Sequence, residues 1–155
     1  MQRALGSSEL RLSAVGLGLV DFAAGPGWLA RQLFPPLDQP AKTAVVAAAL
    51  GAGIDWFDTA EMYGFAASER ALATALGTLG VAPAAVTVAT KWFPLGRTAS
   101  HIGRSIDTRC RALAPYPIGL YLVHHPFGFS TTIAEMRAMA ALAARGLIGG
   151  IGVSN

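Results

Sequence analysis

Apolar and polar residues follow one another in blocks that predict strands and helices in regular alternation. Short apolar stretches rich in β-branched residues are typical of buried strands, and they occupy 15–20, 54–58, 85–91, 118–125 and 147–153. Longer stretches with apolar residues at helical spacing are predicted as helices, at 41–53, 69–80, 101–114 and 131–146. A hairpin is expected around Gly6, and a loop rich in proline and glycine at 22–39.

Polar residues at the block boundaries predict where the helices begin. Ser68 is expected to cap the helix that follows it, and Glu69 suits the first turn of that helix. Ser100 is the candidate cap of the next helix, and Gly146 is expected to end the last one.

The alternation of strands and helices predicts an α/β fold with a parallel sheet and right-handed crossovers. Five strands and four helices fit either an open, doubly wound sheet or part of a (β/α)8 barrel, and periodicity alone does not separate the two. We predict a single domain over residues 1–155. The "GLG" at 16–18 lacks the third glycine and the following helix of a dinucleotide-binding fingerprint.

Composition narrows the function classes. Hydrophobic residues make up 53% of the chain and charged residues 14%, yet no stretch reaches the roughly 18 to 20 apolar residues of a membrane span. The 12 basic residues are scattered among 9 acidic ones, which argues against nucleic acid as a partner. A single cysteine, Cys110, provides neither a disulfide nor a cysteine metal site, so we expect a reducing cytoplasm and no metal.

The candidate chemistry lies where polar residues end the predicted strands. Asp58, Lys91 and His124 interrupt three successive apolar strands, and Tyr63 follows Asp58 in the next loop. Singly, these residues have ordinary interpretations as a loop cap, a surface lysine, a packed tyrosine and a core histidine. Because parallel strands end at the same rim, we expect all four side chains to converge there, where α/β active sites lie.

Together these residue types suit the reduction of a carbonyl group. A tyrosine hydroxyl is ordinarily a weak acid with a pKa of roughly 10. An ammonium such as that of Lys91, held by Asp58, stabilises the phenolate, so Tyr63 is predicted to donate the proton. His124 is predicted to orient the carbonyl through a hydrogen bond. The hydride must then come from a cofactor.

Four stretches resemble the aldo-keto reductase superfamily, and the likeness extends from about residue 3 to the last residue. They are "GIDWFDTAEMYG…SE" at 53–69, "VTVATKWFPLGR" at 86–97, "LYLVHHP" at 120–126 and "IGVSN" at 151–155. The resemblance implies a (β/α)8 barrel that binds a nicotinamide cofactor, usually NADPH, with NADH as the other possibility. It assigns the catalytic tetrad to Asp58, Tyr63, Lys91 and His124.

The resemblance also implies further site residues. Ser154 and Asn155 match the pair that hydrogen-bonds the nicotinamide carboxamide. Residues expected at the cofactor are Gly18, Leu19, Val20 and Asp58. Trp92 and His125 are expected at the substrate pocket. The substrate itself, a small aldehyde or ketone, is not specified by these motifs.

The length of the chain raises the question of what completes the fold. A (β/α)8 barrel typically needs around 250 residues, and these 155 resemble its first five strands and four helices, a half-barrel. Unpaired strands at both edges would favour association, so a homodimer or a complementary half-barrel is the expected partner. The alternatives are a non-catalytic half-barrel that acts as a binding or scaffold protein, and a truncated product of a complete enzyme.

Overall fold

A computed structural model describes residues 2–6, 8, 10–23 and 37–155, so most of the predicted loop at 22–39, with Trp28, lies outside the described residues. The strands are β1 (Gln2–Ala4), β2 (Arg11–Ser13), β3 (Leu17–Gly18), β4 (Trp56–Asp58), β5 (Thr87–Trp92), β6 (Ile118–Val123) and β7 (Ile148–Val153). The helices are α1 (Gln39–Gly51), α2 (Ala67–Thr78), α3 (Ser100–Leu113) and α4 (Thr132–Ala144). The prediction of five alternating strands and four helices after an N-terminal hairpin is confirmed.

Strand order decides between the two predicted architectures. The main sheet runs β3-β4-β5-β6-β7, and every neighbouring pair is parallel. A doubly wound sheet reverses its strand order at a switch point, whereas here each strand is added beside the one before it. With right-handed crossovers, this order places all the connecting helices on one side of the sheet. The sheet is therefore a segment of a (β/α) barrel.

The two faces of the sheet differ because side chains alternate along each strand. One face packs on the helices: Phe57, Val88 and Tyr121 are fully buried in the hydrophobic core. The helices supply the other half of that core, including Leu72, Leu76, Ile102, Ile106, Met139 and Leu142. We call the opposite face, which carries Asp58 and Lys91, the inner face.

The N-terminal hairpin of β1 and β2 packs against the start of β4. The Ser13 amide donates to Asp55 at 2.7 Å, and the Trp56 indole donates to the Ser13 carbonyl at 3.1 Å. Gly16 lies directly against the Trp56 ring, where any Cβ would clash. The hairpin is thus fixed at the amino end of the strands, opposite the predicted site.

Several predicted boundaries need correction. The predicted strand 15–20 is reduced to β3, and Val20 starts a short 3-10 turn. The strand predicted to reach residue 125 ends at Val123, so His124 and His125 follow it. α1 begins two residues earlier than predicted, because the Asp38 carboxylate accepts the Ala41 amide hydrogen at 2.8 Å.

The two predicted serine caps are wrong. α2 starts after Ala66, a residue in the left-handed region with φ of 70°, and Ser68 lies inside the helix. The Ser68 hydroxyl instead donates to the Leu19 carbonyl and accepts from Thr59, both at 2.8 Å. Ser100 is the first residue of α3 and does not cap it.

Among the described residues, no helix is both long enough and apolar enough to cross a membrane.

Candidate functional site

A buried ion pair joins the ends of β4 and β5 on the inner face. The Lys91 ammonium donates to both carboxylate oxygens of Asp58 at 2.7 Å and to the Thr59 carbonyl at 3.0 Å. Lys91 is only 4% exposed. Three acceptors match the three hydrogens of an ammonium, which is how a buried lysine keeps its charge. The cation is therefore fixed in place.

Tyr63 lies in the loop after β4, within reach of this cation. The Lys91 Nζ is 5.2 Å from the centre of the Tyr63 ring. The chain turns sharply beyond it, since Gly64, Phe65 and Ala66 all have positive φ. Phe65 and Ala66 adopt a conformation that residues with a side chain rarely take, so the loop is held by its surroundings. Its tight turn presents Tyr63 to the rim.

His124 follows β6 directly and completes the cluster. Its ring meets the Tyr63 ring edge-on, with centroids 5.7 Å apart. Burial, and then the neighbouring His125 and Lys91, lower the pKa of His124 to about 4 from its ordinary 6.5. His124 is thus a neutral imidazole at physiological pH. Its Nδ1 is buried and has no hydrogen-bond partner among the residues that the structure describes.

Ser154 and Asn155 follow β7 and lie beside His124. The Ser154 amide donates to the Val123 carbonyl at 2.9 Å, which continues the strand pairing. The Asn155 side-chain amide donates to the His124 carbonyl at 2.7 Å. On the other side of the tetrad, Gly18 is paired with Asp58 in the sheet and is exposed. Predicted cofactor residues therefore flank the tetrad on both sides.

The structure brings some predicted site residues to the rim but not all of them. Val20 is 55% exposed, and His125 stacks on His124. The side chains of Leu19 and Trp92 are fully buried in the helix-side core. The Trp92 indole donates to the His101 Nδ1 at 3.1 Å. Neither Leu19 nor Trp92 has side-chain surface that a cofactor or substrate could touch, which corrects their predicted roles.

Sequence reasoning missed a polar network directly behind the site. The buried Glu69 carboxylate accepts hydrogen bonds from Thr90 at 2.6 Å and from Arg109 at 2.8 Å. Thr90 precedes Lys91 in β5, so the network and the tetrad share one strand. The available signal was a threonine at a helix-facing position of an apolar strand, which calls for a polar partner.

Sequence reasoning also missed the aromatic rings that surround the two histidines. Phe93 meets the rings of His124 and His125 edge-on, and Phe127 stacks on His125. Within the ranges described, no group of three or more histidine, cysteine or acidic residues is placed to hold a metal ion. Asp58, Tyr63, Lys91 and His124 thus lie beside a group of aromatic rings.

Comparisons with known proteins agree with this geometry. The sequence matches the profile of the Aldo/keto reductase family over residues 14–155. Uncharacterized oxidoreductases of Mycobacterium tuberculosis and Mycobacterium bovis are 37% identical over 111 residues, which are 72% of this chain and 33% of theirs. The chain thus spans much less than the length of these relatives.

Solved structures that resemble this chain are also longer than it. A thermostable aldo-keto reductase, Tm1743, superposes with a TM-score of 0.82 at 25% identity, over 100% of this chain and 54% of that one. An aldo-keto reductase of Klebsiella pneumoniae in complex with NADPH gives 0.72 at 26% identity, over 94% of this chain and 46% of that one. The fold is therefore about half of the barrel of these enzymes, and the chain belongs to the aldo/keto reductase family.

Proposed function

We propose that this chain carries the catalytic face of an NADPH-dependent oxidoreductase that reduces an aldehyde or ketone to an alcohol. One observation carries the proposal. A fully hydrogen-bonded Lys91 ammonium lies beside the Tyr63 ring, and the neutral His124 lies edge-on to that ring. This is an arrangement for delivering one proton to an oxygen that gains negative charge.

In the proposed reaction, each residue has one task. Tyr63 donates its hydroxyl proton to the carbonyl oxygen, and the Lys91 cation stabilises the phenolate that remains. Asp58 holds Lys91 with both of its oxygens. His124 is neutral, and its buried Nδ1 has no hydrogen-bond partner among the described residues; we therefore assign its hydrogen to Nε2, which donates a hydrogen bond that orients the carbonyl. Reduced nicotinamide, when bound, supplies the hydride.

The residues present fit the carboxamide of a nicotinamide. Ser154 and Asn155 offer a hydroxyl and an amide at the exposed end of β7, next to His124. An amide of this kind both donates and accepts, as a carboxamide does. Gly18 has no atom within 4 Å of the position that a Cβ would take, which leaves open space on the other side of Asp58. NADPH is the favoured form, since the relative from Klebsiella was solved with it, and NADH is the alternative.

We further propose that other polypeptide completes the barrel, as a second copy of this chain or as a complementary segment. The outer edges of β3 and β7 have no strand partner among the described residues, and open edges favour association. Light scattering after size exclusion, with and without NADPH, tests this: a discrete dimer or complex that NADPH tightens supports it. A monomer indifferent to NADPH contradicts it and favours the scaffold or truncated-product alternatives.

A cytoplasmic setting is also proposed, supported by the single cysteine, Cys110.

The test of the catalytic proposal compares two tyrosine variants. Tyr63→Phe removes the proposed acid, whereas Tyr121→Phe removes a buried hydroxyl on the helix side that has no hydrogen-bond partner in the described part of the chain. We expect Tyr63→Phe to lose carbonyl reduction by at least about 100-fold and to retain its NADPH affinity. Tyr121→Phe should keep both. Equal turnover in Tyr63→Phe and the wild type would overturn the mechanism.

A further inference from the structure

We propose that His125 is a positioning residue for the reaction, and this rests on the function proposed above. Its ring, held between those of His124 and Phe127, keeps the His124 imidazole neutral and fixed in orientation, so that His124 donates a hydrogen bond and Tyr63 alone donates the proton. The tetrad would then depend on a fifth side chain, one that touches His124 rather than the reacting atoms.

Three rings form a continuous stack at the end of β6. The His124 and His125 centroids are 4.4 Å apart with planes inclined by 8°, and Phe127 stacks on His125 at 5.6 Å and 22°. Phe93 closes the stack from the side, meeting both imidazoles edge-on at about 6 Å. The orientation of the His124 ring is thus set by packing, and His125 is its largest flat contact.

Hydrogen bonding favours the neutral form of His124. An imidazolium carries a hydrogen on both nitrogens, and the described residues offer no acceptor to the buried Nδ1 of His124. His125 has a polar neighbour, because the Asn155 amide nitrogen lies 3.4 Å from its Nδ1. His125 is also the more exposed of the two rings. The neutral form of His124 is therefore favoured by the environment of its buried Nδ1.

The charges around the pair act in the same direction. The Lys91 ammonium of β5 lies on the Tyr63 side, and both carboxylate oxygens of its partner Asp58 of β4 already accept from it. The loop residues Glu61 and Arg97 pair with each other. After β7, the side chain of Asn155 is uncharged. Within the described part of the chain, no unpaired side-chain carboxylate faces His124, and after burial both His125 and Lys91 lower the pKa of His124.

Nuclear magnetic resonance of the 155-residue chain tests the proposal without any turnover. The chain has three histidines, and a His101→Gln variant identifies the two ring signals of the stack. His125→Gln removes both the ring and its charge. We expect the titration midpoint of His124 to rise by about one pH unit and its nuclear Overhauser contacts with the Tyr63 ring to weaken.

A second variant separates the ring from the charge. His125→Phe keeps a flat ring in the stack, so the contacts between His124 and Tyr63 should persist. The effect of the His125 imidazole on the pKa of His124 should disappear. An unchanged His124 midpoint and unchanged contacts in folded His125→Gln would overturn the proposal. Because Tyr63→Phe leaves the stack intact, the midpoint of His124 should be the same in that variant, so loss of the proposed reductase activity would leave this result standing.

In an assembly that catalyses the reaction, the dependence of kcat on pH distinguishes the proposed role of His125 from a purely structural one. His125→Gln should lower kcat more in mildly acidic buffer than at neutral pH, with a smaller change in KM. A uniform loss of kcat at every pH would contradict the role given to His125.

Discussion

Two buried ion pairs lie on opposite sides of strand β5, and they differ in what surrounds them. On the inner face, Lys91 pairs with Asp58, whose side chain is 31% exposed. On the helix side, Glu69 pairs with Arg109, and their side chains are 0% and 8% exposed. Thr90, which bonds Glu69, precedes Lys91 in the chain. The same kind of contact therefore occurs once in an open site and once in a closed core.

The difference shows that burial of a charge does not by itself mark a catalytic group. Glu69 is enclosed by helices, and burial raises its pKa, opposed by Arg109 and by the hydrogen bond from Thr90. Within the described ranges, its side-chain hydrogen-bond partners are Thr90 and Arg109. Lys91 faces Tyr63 and His124 across a surface that a ligand can reach. We infer that the closed pair fixes α2 and α3 against β5, and that the open pair does the chemistry.

The largest expected effect comes from breaking the closed pair. Arg109→Met leaves Glu69 buried without its cation and should destabilise the fold by about 3–5 kcal/mol. Because burial raises the pKa of Glu69, the loss should be greatest at neutral pH and shrink as acid protonates the carboxyl. Denaturant unfolding over a pH series measures this. Glu69→Leu combined with Arg109→Met should recover most of the stability, and a double variant as unstable as the single one would refute the pairing.

Breaking the open pair should harm activity more than stability. In Lys91→Met the partly exposed Asp58 regains water, so we expect a cost of about 2 kcal/mol and a loss of turnover of at least about 100-fold. Denaturation and the consumption of reduced nicotinamide measure the two effects. If the stability cost equalled that of Arg109→Met, the contrast between the two faces would fail.

The histidine of the open face predicts a pH dependence of stability. The pKa of His124 is about 4 in the fold and about 6.5 when unfolded, so the unfolded chain binds the extra proton. Stability should therefore fall as the pH drops from 6.5 towards 4, by about 2 kcal/mol. The matched variant is His124→Gln, and the difference between the two unfolding curves isolates this residue. A difference that does not change with pH would contradict the burial of a neutral His124.

The smallest expected effect on stability comes from comparing two serines, one buried and one exposed. Ser68 donates to Leu19 and accepts from Thr59 inside the core, so Ser68→Ala should cost about 1 kcal/mol or slightly more. Ser100 is exposed and contacts only Thr98, so Ser100→Ala should cost less than about 0.5 kcal/mol. Equal costs would mean that Ser100, like a true cap, holds its helix.

The fold was predictable from local patterns because each strand and helix carries its own period. The convergence of Asp58, Lys91 and His124 also followed from the parallel order of the strands. The misplacement of Trp92 was avoidable. It follows Lys91 directly, so alternation along β5 places it on the opposite face. Leu19 resembles the family's cofactor contacts by position, but position does not state which way a side chain points.

Other features depended on contacts between distant parts of the chain. The Ser68 hydroxyl bonds a carbonyl 49 residues away, and Arg109 reaches a glutamate 40 residues away. A helix that starts from a left-handed alanine, as α2 does after Ala66, leaves no local signal for a cap. The histidine stack likewise depends on where β6 ends, and the sequence placed that end two residues too late.

The most direct test of the central claim is the oxidation of NADPH by the wild-type chain and by Tyr63→Phe, with an activated aromatic aldehyde as the probe. NADPH affinity is measured alongside by fluorescence. The account predicts aldehyde-dependent NADPH oxidation by the wild type, and a variant that binds NADPH equally well but does not turn over. A wild type that fails to bind NADPH, or a Tyr63→Phe variant that reduces the aldehyde at the wild-type rate, would contradict it.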